Sequence, residues 1–85
     1  MRYSTRKINY NSKFDVLDLS FVDNKNSYGE EDVDNIVEFR DTKTGKLTGL
    51  TILDFKSMFD TNDSRILSIQ KKYRLDKVYK ELFAK

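Results

Sequence analysis

An α+β fold is predicted by three features: period-two alternation of apolar and polar residues up to residue 53, a Gly-centred turn at 41–46, and a change to helical spacing after residue 54. The expected architecture is an antiparallel four- to five-stranded sheet of hairpins. A short helix and a C-terminal helical extension come after it.

Ile8 and Tyr10 sit two apart and begin the first strand, which ends at a turn-like Asn11-Ser12-Lys13. From Asp15 to Val22, Leu17, Leu19 and Phe21 face one way while Asp18 and Ser20 face the other. This is the pattern of a half-buried strand. Residues 23–29 are polar and rich in chain breakers, and read as a long connection; Ser27 to Glu31 adds a short edge strand. Alternation resumes from Asn35 to Asp41, with Val37 and Phe39 on one face and Glu38 and Arg40 on the other. Asp41 or Thr42 opens the next turn, and Gly45 supplies the positive φ that returns the chain. Leu47 to Leu53 is the partner strand, where Gly49 suggests a bulge or a close backbone approach.

Asp54 can cap a short helix over 54–60, in which Phe55, Met58 and Phe59 recur at helical spacing. Residues 61–64 punctuate the chain and cap the next helical segment. Residues 64–84 lack Gly and Pro, but their apolar set forms two stripes. Ile66, Ile69 and Tyr73 make one; Leu75, Val78, Tyr79, Leu82 and Phe83 make the other. The phase slips near Arg74, so either two helical segments meet there, with Asp76 as a second cap, or one helix is buried on two sides. Two segments are the preferred reading.

Composition narrows the chemistry. The 85 residues are 35% charged, with 16 Lys+Arg against 14 Asp+Glu, and contain no Cys and no His. Disulfides, zinc–thiolate sites, iron–sulfur clusters and thiol nucleophiles are therefore excluded, together with histidine acid–base chemistry. The length suits one domain, made of a sheet part over 6–60 and an extension over 61–85. No apolar run exceeds three residues, so no segment reads as membrane-spanning. The basic start lacks the apolar stretch of a signal peptide, which points to the cytoplasm. The net charge of +2 hides segregation: residues 1–13 carry +4, residues 14–42 carry −7 and residues 43–85 carry +5.

Several segments together carry a resemblance: Ile8-Asn-Tyr, Asp15-Val-Leu-Asp-Leu-Ser-Phe, Tyr28-Gly-Glu-Glu, Asn35-Ile-Val-Glu-Phe-Arg-Asp and Thr44-Gly-Lys-Leu-Thr-Gly-Leu-Thr-Ile-Leu-Asp-Phe. In order and spacing, residues 6–60 resemble the small bacterial and phage proteins grouped as the domain of unknown function DUF2283. The resemblance implies a small antiparallel sheet ending in a helix, and supplies no catalytic residues. Some members are similar to proteins encoded beside toxin-like genes, which suggests an antitoxin-like or other inhibitory role. Residues 61–85 extend past the usual end, and Thr48 and Leu50 flank Gly49 where many members carry another aliphatic.

Three groups of residues are candidates for function. Glu30, Glu31, Asp32 and Asp34 form an acidic run. Adjacent acids lack the alternating spacing of a Ca²⁺ loop, so a solvated hairpin edge is preferred, followed by a negative surface meeting a basic partner or imitating DNA. Asp18 paired with Asp15 or Glu38 is conceivable as acid and base, but carboxylates on a half-exposed strand usually form its wet face. Among the C-terminal cations, Lys71, Lys72, Arg74 and Lys77 interleave with Tyr73 and Tyr79. Such a surface suits an acidic protein partner, including a second copy of this chain, whose residues 23–41 sum to −5. It also suits nucleic acid, with Lys and Arg on phosphates and Tyr stacked on bases. A solvated helix face, with Lys stems covering apolar surface, is the preferred reading of these residues taken alone.

The sequence thus favours a small non-catalytic protein-binding module, inhibitory or antitoxin-like, acting through its helical extension and sheet surface. Nucleic-acid binding through the basic helix is the alternative. No motif points to an enzyme, a metal, a cofactor or a small-molecule ligand. Leu75, Val78, Leu82 and Phe83 either close the core or dock a partner. Removing residues 61–85 is expected to abolish partner binding or dimerisation while leaving the sheet folded.

Overall fold

The computed structural model describes residues 7–22 and 26–84; Arg2, Arg6 and Lys85 of the basic ends, and positions 23–25 of the long connection, lie outside them. Five strands, β1 (Lys7–Asn11), β2 (Val16–Ser20), β3 (Ser27–Val33), β4 (Ile36–Asp41) and β5 (Leu47–Leu53), precede three helices, α1 (Phe55–Asp60), α2 (Ser64–Ile69) and α3 (Leu75–Phe83). All strand pairs are antiparallel, in the order β1-β2-β5-β4-β3. The fold is α+β, as the sequence predicts.

The strand order departs from a plain succession of hairpins. β5 lies in the middle, between β2 and β4, and the connection after β2 carries the chain to the far edge, where β3 begins. Burial explains the arrangement: β5 is the strand with the longest buried stretch, Leu47 to Leu50, and a central position covers it. β3 is longer than the short edge strand expected. Its carboxylates, its Gly29 and a register shift between Glu30 and Val33 suit an edge, because each discourages pairing with another chain.

A second bulge lies between β4 and β5. Phe39 pairs with Gly49 and Arg40 with Leu47, so Thr48 is the extra residue. Although buried, Thr48 is fully used. Its hydroxyl donates to the Phe39 carbonyl (3.2 Å) and contacts the Ser27 hydroxyl (2.8 Å), while its carbonyl accepts from the Phe21 amide (2.9 Å). A Cβ on Gly49 would stand 3.0 Å from the Leu19 carbonyl oxygen, so the bulge and the close approach coincide. In the β4–β5 turn the Asp41 carboxylate accepts from the amides of Lys43 and Thr44, and Gly45 has φ 73°, as expected.

Register separates the two faces of the sheet. Ile8, Tyr10, Leu17, Leu19, Leu50, Ile52, Ile36 and Glu38 share the face on which the helices pack. Phe55 and Met58 of α1, Ile66 of α2, Tyr73 before α3, and Leu75 and Val78 of α3 close one core with it. Leu82 and Phe83 pack against that core. The C-terminal extension is therefore core, and the alternative in which these four residues dock a partner is set aside.

The helix ends correct two expectations and support two others. Asp54 occupies the position before α1, but with φ 58° and no capping bond from its side chain. The capping carboxylate belongs to Asp15, in the β1–β2 turn, which accepts from the amides of Lys56 (2.8 Å) and Ser57 (3.1 Å) and from the Tyr10 hydroxyl (2.7 Å). Asp63 caps α2 through the Arg65 amide (2.9 Å). Between α2 and α3 the chain breaks at Arg74, with φ 52°, where the apolar phase slips; Asp76 lies in the first turn of α3 without being its cap. Replacing Asp15 with Ala strands three donors from β1 and the start of α1. A loss of about 2–3 kcal/mol is expected, read as a lower urea midpoint with an unchanged slope.

Candidate docking surface

The predicted acidic and basic residues meet in space. Glu30 and Glu38 stand directly opposite each other on β3 and β4, an unfavourable pairing for like charges. Arg40 resolves it, its Nε lying 3.1 Å from Glu30 and its Nη2 3.4 Å from Glu38. The corner between α2 and α3 settles over the same place. Tyr73 donates its hydroxyl hydrogen to Glu38 Oε2 (2.6 Å), and Lys72 Nζ is 3.8 Å from that oxygen and 5.2 Å from the Tyr73 ring centre. Part of the charge segregation along the chain is thus satisfied internally. Glu31 is also engaged, accepting from the Asn35 amide (3.0 Å) across the β3–β4 turn. Asp32 and Asp34 are exposed.

Lys71, Arg74 and Lys77 are exposed and make no ion pair among the described residues. The two tyrosines between the cations do not accompany them to the surface. Tyr73 is only 1% exposed and stacks on Phe21, with ring centres 5.7 Å apart. Tyr79 is half-buried, stacked on Phe59 at 4.3 Å, with its hydroxyl on Asp60 (2.6 Å). Neither ring is presented as a platform for bases, which corrects the expected role of both. Asp18 and Glu38 lie on opposite faces of the sheet, so they cannot act as an acid–base pair. Asp15 is committed to capping α1.

Tyr10 and Tyr79 each hold their proton against a carboxylate. Burial, then the hydrogen bond to Asp15, pushes the Tyr10 hydroxyl up to about 12. The bond to Asp60 raises Tyr79. On the acid side, the Arg65 guanidinium holds Asp63 down at about 2, and Lys56 lowers Asp60. Because the folded chain binds the Tyr10 proton more tightly than the unfolded chain, the stability it contributes is complete below about pH 10 and lost as the pH rises toward 12. A spectrophotometric titration is expected to show one tyrosine ionising near that upper limit, and Tyr10→Phe should remove that component.

Among the described residues, no helix lies over the opposite face of the sheet. Register places four rows there: Asn11, Val16 and Leu53; Asn9, Asp18, Thr51 and Val37; Lys7, Ser20, Gly49, Phe39 and Gly29; and Ser27 with Asp41. Val16, Val37 and Phe39 are half-buried, and Leu53 is 38% exposed. Phe39 leans over β3, where a Cβ on Gly29 would lie 3.2 Å from its Cε1 and 3.0 Å from Val37 Cγ1. Asp18 is held by a hydrogen bond from the Thr51 hydroxyl. Of these fourteen residues Lys7, Asp18 and Asp41 are charged, in a chain that is 35% charged.

The alternation points to a sheet surface in the contact without singling out this face. Its signal was present, since β4 carries Ile36 on one face and Val37 and Phe39 on the other, with glycines at the two positions that pair with Phe39. Apolar residues on both faces of one strand mark a sheet whose second face is not simply wet.

No helix among the described residues is long and apolar enough to cross a membrane, and no His, Cys, Asp or Glu cluster among them could hold a metal ion. No protein-family model matches the chain, and comparison with curated proteins and with solved structures gives no match.

Proposed function

We propose that this chain is a small non-catalytic protein-binding module that meets its partner through the open face of its sheet. One observation carries the reading: Val16, Val37, Phe39 and Leu53 line a face that no helix among the described residues covers and that bears few charges. Depletion of charge around aromatic and aliphatic residues is how the centre of a protein interface differs from ordinary surface. The resemblance of residues 6–60 to DUF2283 proteins fits a binding domain and adds the expectation of an inhibitory role. The helical extension contributes by completing the core rather than by supplying the contact.

Nucleic-acid binding is the second reading, supported by the exposed cations Lys71, Arg74 and Lys77. It is weaker because Tyr73 and Tyr79 are turned inward, leaving phosphate attraction without base stacking.

The test is photo-crosslinking in cells that make the protein, with benzoylphenylalanine placed at position 53 or, separately, at position 67. Leu67 is 50% exposed on α2, on the helical side. Discrete protein adducts from position 53 and none from position 67 are expected. Adducts from position 67 alone, or from neither, would overturn the reading.

A further inference from the structure

We infer that the outer edge of β1 takes up an extended segment of a partner chain as an additional antiparallel strand, apolar on one face and acidic on the other. This contact is separate from the open face of the sheet and does not depend on it. Backbone direction is the first argument. Successive residues of a strand turn their amide and carbonyl to opposite sides. The Leu53 amide donates to the Asn35 carbonyl (2.8 Å) beside β4, so Ile52 turns its backbone groups to Leu17 of β2. The Phe21 amide, donating to Thr48 (2.9 Å), gives the same phase. Val16, Asp18 and Ser20 therefore face β1, where their partners are Asn11, Asn9 and Lys7. Ile8 and Tyr10 are left pointing amide and carbonyl outward, and among the described residues no strand lies beyond β1. Backbone groups presented in this way are the template on which an added strand pairs.

The two edges of the sheet differ in how they treat such a strand. β3 carries a register shift and the carboxylates of Glu30, Glu31 and Asp32. β1 pairs with β2 without a shift, and its sequence, KINYN, has no Gly, Pro or acid. Only the β1 edge is straight and open to pairing.

Side chains specify the segment. In antiparallel register, those opposite Ile8 and Tyr10 fall on the helical side. Both residues are half-buried there, and half-buried Phe83 stands edge-on to Tyr10 with ring centres 5.1 Å apart, so this row is apolar. The alternate side chains fall beside Lys7, Asn9 and Asn11, all exposed, and Lys13 follows just past the end of β1. Neighbouring carboxylates are already held: Asp15 by Tyr10 and α1, Asp60 by Lys56 and Tyr79, and Asp18 by Thr51. Asp18 also lies one strand further in, about 10 Å from an added strand against about 5 Å for the β1 residues. The near charge is thus Lys7, which favours acid. β1 has no carboxylate to offer Lys7, so a second copy of this strand is not the match.

The test is a proton–nitrogen titration of the full chain with a short end-blocked peptide alternating valine and glutamate. Valines opposite Ile8 and Tyr10 turn their amides to β1, and glutamates turn theirs away. A peptide N-methylated on its glutamates keeps the pairing edge and is expected to bind with a dissociation constant below about 2 mM. With this peptide in excess, hydrogen exchange at the Ile8 and Tyr10 amides should slow about fivefold or more. N-methylation on the valines instead removes the donors and should weaken binding about tenfold or more. Lys7→Glu, at an exposed position, should weaken binding about threefold or more at low salt. Leu53→Asn, on the open face two strands away, should leave it unchanged.

No binding of the glutamate-methylated peptide up to about 5 mM overturns the inference. So does equal binding of the two methylated peptides, or protection at the β3 edge in place of Ile8 and Tyr10. Binding weakened by Leu53→Asn and indifferent to Lys7→Glu overturns it too, since the peptide then sits on the open face and supports only the reading of that face.

Discussion

Removing residues 61–85 is expected to leave no folded protein. The deleted segment holds Ile66, Tyr73, Leu75 and Val78, none more than 4% exposed. Large core side chains are worth about 2–5 kcal/mol each when deleted, against a total stability of about 5–15 kcal/mol. The segment takes its own ordering cost away with it, but it also uncovers Leu17, Leu50, Ile52 and Phe55 on the sheet and α1. A sheet with both faces wet and this much apolar surface on one of them does not hold together. The amide proton–nitrogen spectrum of the 1–60 fragment should collapse into the narrow range of an unfolded chain. A dispersed spectrum would show that the sheet folds without the extension and would restore the docking role considered for Leu75, Val78, Leu82 and Phe83.

The second large effect is expected at Phe55. This ring is fully buried at the start of α1 and is the hub of an aromatic cluster. Tyr10 meets it edge-on with centres 6.5 Å apart, Phe59 and Tyr79 are tilted against it at 5.9 and 6.3 Å, and Phe83 stacks at 6.5 Å. One side chain thus joins the sheet edge, α1 and α3. Phe55→Ala loses its transfer free energy, leaves a cavity and breaks these ring contacts, for about 3–5 kcal/mol. Urea unfolding followed by circular dichroism should place the variant near the limit of folding at 25 °C. Phe83→Ala, at the half-buried rim, should cost clearly less. Equal losses at the two positions would contradict Phe55 as the hub.

The parts of this fold that can be read from the sequence are those governed by neighbours along the chain. Alternation marks β2 and β4, the Asp41–Gly45 turn announces its hairpin, and the slip of apolar phase at Arg74 marks the break between α2 and α3. Each depends on backbone geometry within a few residues. What could not be read depends on distant encounters. No local pattern says that β5 enters between β2 and β4, or that Asp15 rather than Asp54 caps α1, because that carboxylate acts across 41 residues of chain.

The candidate site illustrates the same limit. Tyr73 sits between cations and reads as a surface aromatic. Yet the αL turn at Arg74 coincides with its ring lying against Phe21 and its hydroxyl reaching Glu38. Glu38 reads as the wet face of β4, but the helices cover that side, and Val37 and Phe39 take the open one. An amphipathic strand states that its two faces differ. Which face the helices choose is decided by β5 and β2, whose Leu50, Ile52, Leu17 and Leu19 outweigh the single strand β4.

The fold is one-sided: the C-terminal helices belong to the core, and no helix among the described residues covers the opposite sheet face. The most direct measurement is methyl relaxation enhancement by a soluble, neutral gadolinium chelate, recorded on dilute protein. The expected result is strong enhancement for the methyls of Leu53 and Leu67, intermediate enhancement for Val16 and Val37, and almost none for Ile66, Leu75, Val78 and Leu17. Enhancement at Leu75 and Val78 comparable to that at Leu67, or Val37 and Leu53 as silent as Leu17, would contradict it.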